Sequence, residues 1–96
     1  MSDRELLEKA AKAAEVDWFR RTDGGMWLKS GGIWNPLTDD GDALRLAVKL
    51  RMCVSPYEYV TNQHVFIEID DAADDPYAAT RRAIVRAAAQ IGKEMT

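Results

Sequence analysis

Two of the three prolines fix where this chain can start a helix. Pro36 follows Asn35, and Pro76 follows Asp75. A proline ring disfavours helical backbone at the residue before it and brings no amide proton. Regular helix must therefore begin after Asn35-Pro36. At Asp75-Pro76 the ring falls on the first helical position, where its missing donor costs little, and Asp75 becomes the N-cap. After Pro36, the residues Ala43, Leu44, Leu46, Ala47, Val48 and Leu50 supply the apolar faces of a helix from about Asp39 to Arg51. After Pro76, a core-facing stripe runs through Tyr77, Ile84, Ala88, Ile91 and Met95. Ala83 and Ala87 let a neighbour come close, and Gly92 is a candidate end.

A further helix reads from Asp3 to Glu15. Ser2-Asp3-Arg4-Glu5 fits a capping box. Leu6, Leu7, Ala10, Ala11, Ala13 and Ala14 form an apolar stripe, and Glu5–Lys9 and Glu8–Lys12 are favourable pairs one turn apart.

The remaining segments carry β signals. Arg20 to Gly25 is a turn. Met26 to Leu28 is a short strand that Ser30-Gly31-Gly32 can fold back onto Ile33-Trp34, although the glycines equally allow an irregular loop. Met52 to Val60 is rich in β formers, with Pro56 demoting part of it to an edge or bulge. Thr61-Asn62 is a turn, and His64 to Asp70 alternates. Val65, Ile67 and Ile69 share one face, while His64, Phe66 and Glu68 share the other. Phe66 on that second face implies that both sheet faces are partly covered. The expected fold is a single α+β domain over residues 1–96. It is a helix–sheet–helix sandwich, with three helices and a small antiparallel sheet of about three strands.

Composition narrows the chemistry. Apolar residues make up 47% and charged residues 30%, a globular balance. No apolar run approaches the roughly 18 residues of a membrane span. Met1 to Glu15 has no signal-peptide core, so the expected location is cytoplasmic. One cysteine and one histidine exclude an internal disulfide, a cysteine-rich zinc site and a multi-histidine site. Cys53 with His64 would be the sole Cys–His pair, but Cys53 between Met52 and Val54 reads better as a small core residue. A net charge of −3 argues against generic polyanion binding.

The acids have two readings. Asp39, Asp40 and Asp42 lie at a helix start, where unpaired amides and the positive end of the macrodipole favour carboxylates. A calcium loop would need a distant glutamate where Lys49 and Leu50 stand. Asp70, Asp71, Asp74 and Asp75 precede the last helix in the same way. If both helix starts lay at one end of the sheet, the two clusters could face each other. Asp39, Asp40, Asp42, Asp74 and Asp75 could then hold Mg²⁺ for chemistry on nucleotides or nucleic acid. Capping is the favoured reading, with no cofactor and no catalytic residue. Phosphate loops, dinucleotide fingerprints and Gly-x-Ser-x-Gly elbows are all missing from the sequence.

Binding candidates are the residue types that dominate interfaces. Trp27 and Trp34 either fill the core or, if exposed, mark a partner surface. Tyr57 and Tyr59 are read on one strand face beside Pro56. Arg81, Arg82 and Arg86 form a basic cluster that could join Arg45, Lys49 and Arg51 in a patch for an anionic partner. Charge runs are more often solvated faces, and no aromatic platform accompanies this one, so nucleic acid is disfavoured. An alanine-rich helix face and a strand edge would also permit a homodimer.

Two segments, "WNPLTDDGDALRLAVKL" and "DDPYAATRRAIVRAAAQIGKEM", resemble the phage ABA sandwich domain family, small proteins of tailed bacteriophages and prophages. The resemblance rests on a Trp-Asn-Pro-Leu step into an acidic helix start and an Asp-Pro step into a terminal helix with an Ala-Thr-Arg-Arg pattern. It implies a helix–sheet–helix fold and a phage or prophage origin, and it carries over no catalytic residues. The resulting expectation is a non-enzymatic accessory protein in the host cytoplasm. It would act by protein–protein contact on a host or phage factor, a defence system included.

Overall fold

The computed structural model describes residues 2–95. Three helices start where their caps place them: α1 (Asp3–Ala13), α2 (Asp40–Lys49) and α3 (Pro76–Glu94). The Ser2 hydroxyl accepts from the Glu5 amide at 3.2 Å, and the Asp39 carboxylate accepts from the Asp42 amide at 2.8 Å. Asp75 accepts from the amides of Tyr77 and Ala78 at 3.0 and 3.1 Å. Each cap satisfies a donor that the helix cannot, worth about 1 kcal/mol.

The first two helices stop without glycine. Glu15 and Arg51 follow their helices in left-handed backbone, with φ of 56° and 54°. The next amide closes each end, Val16 onto the Ala11 carbonyl and Met52 onto the Ala47 carbonyl, both at 2.9 Å. This is the hydrogen-bond pattern that glycine usually supports.

Helix α3 is the centre of the core. Ala83, Ile84, Val85, Ala87, Ala88 and Ala89 are all buried. Along one side lies α1, presenting Leu6, Ala10, Ala11, Ala13 and Ala14. Small side chains let the two backbones approach, as expected for Ala83 and Ala87. The approach is tightest at Gly92, where a β-carbon would run into the Lys9 carbonyl. Gly92 therefore lies inside α3 rather than ending it. The expected stripe also fails at both ends, since Tyr77 in the first turn is 72% exposed and Met95, just past the last turn, is exposed as well.

The other side of α3 meets a three-stranded antiparallel meander. Its strands are β3 (Cys53–Ser55), β4 (Tyr59–Thr61) and β5 (Phe66–Glu68), paired in that order. Val54, Val60 and Ile67 sit opposite one another and face the helices. Val65 and Ile69 are buried on the same side, as their alternation predicts. The segment from Met52 to Val60 is two strands rather than one, because the chain reverses at Pro56. The Glu58 amide donates to the Ser55 carbonyl at 3.0 Å across that turn. Coverage of the second sheet face is also corrected. Phe66 is 59% exposed and stacks on Tyr59, with ring centroids 5.3 Å apart. Cys53 is exposed rather than in the core, because it occupies the outer row with Thr61 and Phe66.

A separate two-stranded ribbon pairs β1 (Trp18–Arg20) with β2 (Met26–Leu28). The expected return through Ile33-Trp34 reduces to a single bridge from Trp27 to Ile33, flanked by bonds from the Leu28 amide to the Gly32 carbonyl and from the Trp34 amide to the Met26 carbonyl. Glu8 accepts from Arg20 at 2.7 Å rather than from Lys12, which reaches the Met95 carbonyl. The α+β architecture read from sequence is the one observed.

Candidate functional site

The aspartates of the Trp-Asn-Pro segment are occupied by the fold. Asp42 is buried, with 6% exposure. Its carboxylate accepts from the Asn35 amide at 2.9 Å and from Arg45 at 2.7 Å. The Asn35 side chain in turn accepts from the Leu37 amide at 3.1 Å. These bonds clamp the loop to the first turn of α2 and seat Trp34 and Pro36 in the interior. Asp40 accepts from Arg81 at 2.6 Å, and Arg81 also donates to the Leu37 carbonyl at 2.9 Å.

The starts of α2 and α3 do come side by side, since Asp40 and Pro76 line one groove. The acids themselves do not gather. Among the described residues, no three Asp, Glu, His or Cys side chains form a group able to hold a metal ion. Asp75 is committed to its cap, and Asp70 accepts from the Ala72 amide at 3.1 Å. Cys53 and His64 share no hydrogen bond among the described residues; the His64 ring lies 3.3 Å from the Gln63 amide nitrogen.

The binding candidates separate in space. Trp34 is 6% exposed and belongs to the core, which removes it from any surface. Trp27 lies on the outward row of the ribbon, paired with Phe19 and bridged to Ile33, which are 46% and 62% exposed. The Arg21 guanidinium sits 4.3 Å from the Trp27 ring centre. Tyr57 and Tyr59 do not share a face, because Tyr57 is in the turn and Tyr59 is on the outer sheet face with Phe66.

The arginines also diverge. The side chain of Arg81 is 17% exposed and points to α2, while Arg82 pairs with Asp3 of α1 at 3.0 Å. That hydrogen-bonded guanidinium holds the Asp3 carboxyl below its ordinary range, against the opposing effect of burial. Arg86 is exposed in a second groove with Arg82, Leu6, Ile67 and Lys93. Arg45 is taken by Asp39 and Asp42, so the arginines and lysines form no single patch.

What the structure does assemble is an apolar groove of about 410 Å³ between α2, α3 and the β3–β4 turn. Ala43, Ala47 and Ile84 form its buried part, with Val54 beside them. Leu44, Tyr57 and Tyr77 line its open part at 65%, 63% and 72% exposure. Val48 follows Leu44 by one turn and is 68% exposed. Helix α2 is thus apolar on two faces, and only one is covered.

Tyr57 is also strained. Its φ is 68°, and it follows Pro56 in a turn position that favours glycine. Holding a side chain there costs on the order of 1 kcal/mol.

Comparison with protein-family profiles, with curated proteins and with solved structures finds no match. No helix among the described residues is long and apolar enough to cross a membrane.

Proposed function

We propose that this protein is a non-enzymatic protein-binding module whose contact surface is the groove between α2, α3 and the β3–β4 turn. One observation carries the reading: a tyrosine occupies a glycine-type turn position and stands 63% exposed at an apolar groove. Strain of that kind is retained where a side chain is useful. Contiguous exposed apolar side chains with tyrosine among them are what partner surfaces are made of. The two motif segments support the wider reading, an accessory protein of phage or prophage origin acting on a host or phage factor in the host cytoplasm.

Tyr57→Gly separates fold from function. Relief of the strained φ should raise Tm by about 4–8 °C, the equivalent of roughly 1 kcal/mol in a domain this small. The same change should abolish retention of any partner recovered from phage-infected host cytosol on the immobilised protein. A variant that is more stable and retains the same partners at wild-type levels would sink the proposal.

A further inference from the structure

We propose that a cleft at the C-terminal end of α2 binds a small organic anion, an apolar body carrying a carboxylate or a phosphate. The site is separate from the apolar groove and stands without it.

The cleft encloses about 410 Å³, within the roughly 300–1,000 Å³ of ordinary ligand pockets. Half-buried Leu50, Asn62 and Ile91 form its floor, and exposed Lys49, Arg51, Gln63 and His64 form its rim. One side chain ties the two sides together. The Asn62 amide nitrogen donates to the Leu50 carbonyl at 3.1 Å, at the end of α2. Its oxygen accepts from the backbone amides of His64 and Val65 at 2.8 and 3.2 Å, between β4 and β5. The walls are therefore set before a ligand arrives, which lowers the ordering cost of binding.

Charge gives the ligand its sign. The charged side chains lining the cleft are Lys49 and Arg51, and neither makes an ion pair among the described residues. Among the described residues no carboxylate lines it. The end of α2 brings about half a negative charge, which one cation already offsets. Helix α1 ends in the same left-handed backbone with an acid, Glu15, where α2 has Arg51, so the helix end itself does not require a cation. The second groove, with Arg82 and Arg86, is less selective, because Asp3 pairs with Arg82 and Glu94 is part of the lining.

The other lining residues set the rest of the ligand. Gln63 and His64 bring side-chain nitrogens that lie 3.3 Å apart to the same rim. Anionic oxygens accept several donors at once, and such bonds are the strong ones. Leu50 and Ile91 offer apolar surface that an inorganic ion would leave uncovered. A long polyanion would meet, beyond the cleft, a chain of net charge −3.

His64 is the only histidine, so its ring protons are a single reporter at the cleft. The test titrates the full chain with phenyl phosphate, benzoate, inorganic phosphate and benzyl alcohol, and follows the NMR spectrum. Phenyl phosphate, benzoate or both should move the His64 ring and Gln63 amide signals and saturate at millimolar concentration. A response to one alone identifies the phosphate or the carboxylate as the recognised group. Inorganic phosphate should bind several-fold more weakly than the organic anion, and benzyl alcohol should not saturate. Lys49→Gln/Arg51→Gly should lower affinity at least about tenfold, as loss of hydrogen bonds to charged groups does. Glycine suits the backbone at position 51, so this variant keeps the fold. Gln63→Glu should weaken binding as well, by placing a carboxylate at the rim.

An equal response to benzyl alcohol would overturn the anionic class. Inorganic phosphate binding as tightly as the organic anions would overturn the apolar body. Lack of saturation with both organic anions, or shifts that map away from residues 49–51 and 62–64, would remove the site. So would an affinity unchanged in Lys49→Gln/Arg51→Gly or in Gln63→Glu.

Discussion

Helices α1 and α2 both lie against α3, yet they use it in opposite ways. Along α1 the contact is made of alanines and one glycine, and the backbones approach until no β-carbon fits at Gly92. Along α2 the inner face, Ala43, Leu46 and Ala47, is buried, while Leu44 and Val48 stand in water. Close packing forbids change on the first side, because a filled interface has no volume to give. The second side has unused apolar surface, which stabilises nothing until something covers it. Small residues close one side of the molecule and large exposed ones leave the other open. That difference separates the part that holds the fold from the part available for contact.

Substitutions can break or sharpen this contrast. The largest effect belongs to the closed side. Gly92→Ala forces a methyl group against the Lys9 carbonyl and should cost about 3 kcal/mol in urea unfolding. A neutral result would mean that α1 can lift away and that the two sides are not different in kind. Next comes the anchor of α2. Asp42→Ala leaves the half-buried Asn35 amide without its acceptor and should cost about 2 kcal/mol, read as a lower melting temperature.

On the open side the expected effect is small. Leu44→Ser together with Val48→Ser should change stability by no more than about 0.5 kcal/mol each, because neither side chain is buried. A large loss would show that both residues are already covered in solution, for instance by a dimer. Smallest of all is the surface pair of Asp3 and Arg82. The Asp3 carboxyl sits below its ordinary value in the folded chain, so its contribution is present above that value and is lost as acid protonates the folded carboxylate. Asp3→Asn should flatten that part of the acid limb below pH 3.8, and salt should shrink the difference because both groups are exposed.

Much of the scaffold was legible in the sequence. Ser2, Asp39 and Asp75 announce three helix starts, because a cap is local chemistry between neighbours. Helix ends were less so. Glu15 and Arg51 take left-handed backbone without the glycine that would signal it, and the helices close two residues earlier than periodicity suggests. Pro56 marked an interruption, but the full reversal was hidden by Tyr57 in a place where glycine or asparagine is the usual sign.

The groove was the least visible feature. The sequence pattern assigns Tyr57 to a strand face it does not occupy and Tyr77 to a core stripe from which it projects. Leu44 and Val48 share the helical period of their buried neighbours. Period alone does not tell which of two apolar faces another element will cover. That is settled by how α2 lies on α3, between residues some forty positions apart, as in the bond from Arg81 to Asp40.

The pairing of α1 with α3 also has a consequence for synthesis. Lys12 and the Met95 carbonyl, which meet in the finished protein, are 83 positions apart. The ribosome releases α1 seconds before its partner exists. Eleven residues are too few for a lasting helix on their own. The early chain must therefore wait, loosely coiled, until α3 emerges, and that much later segment is the one that locks it in place.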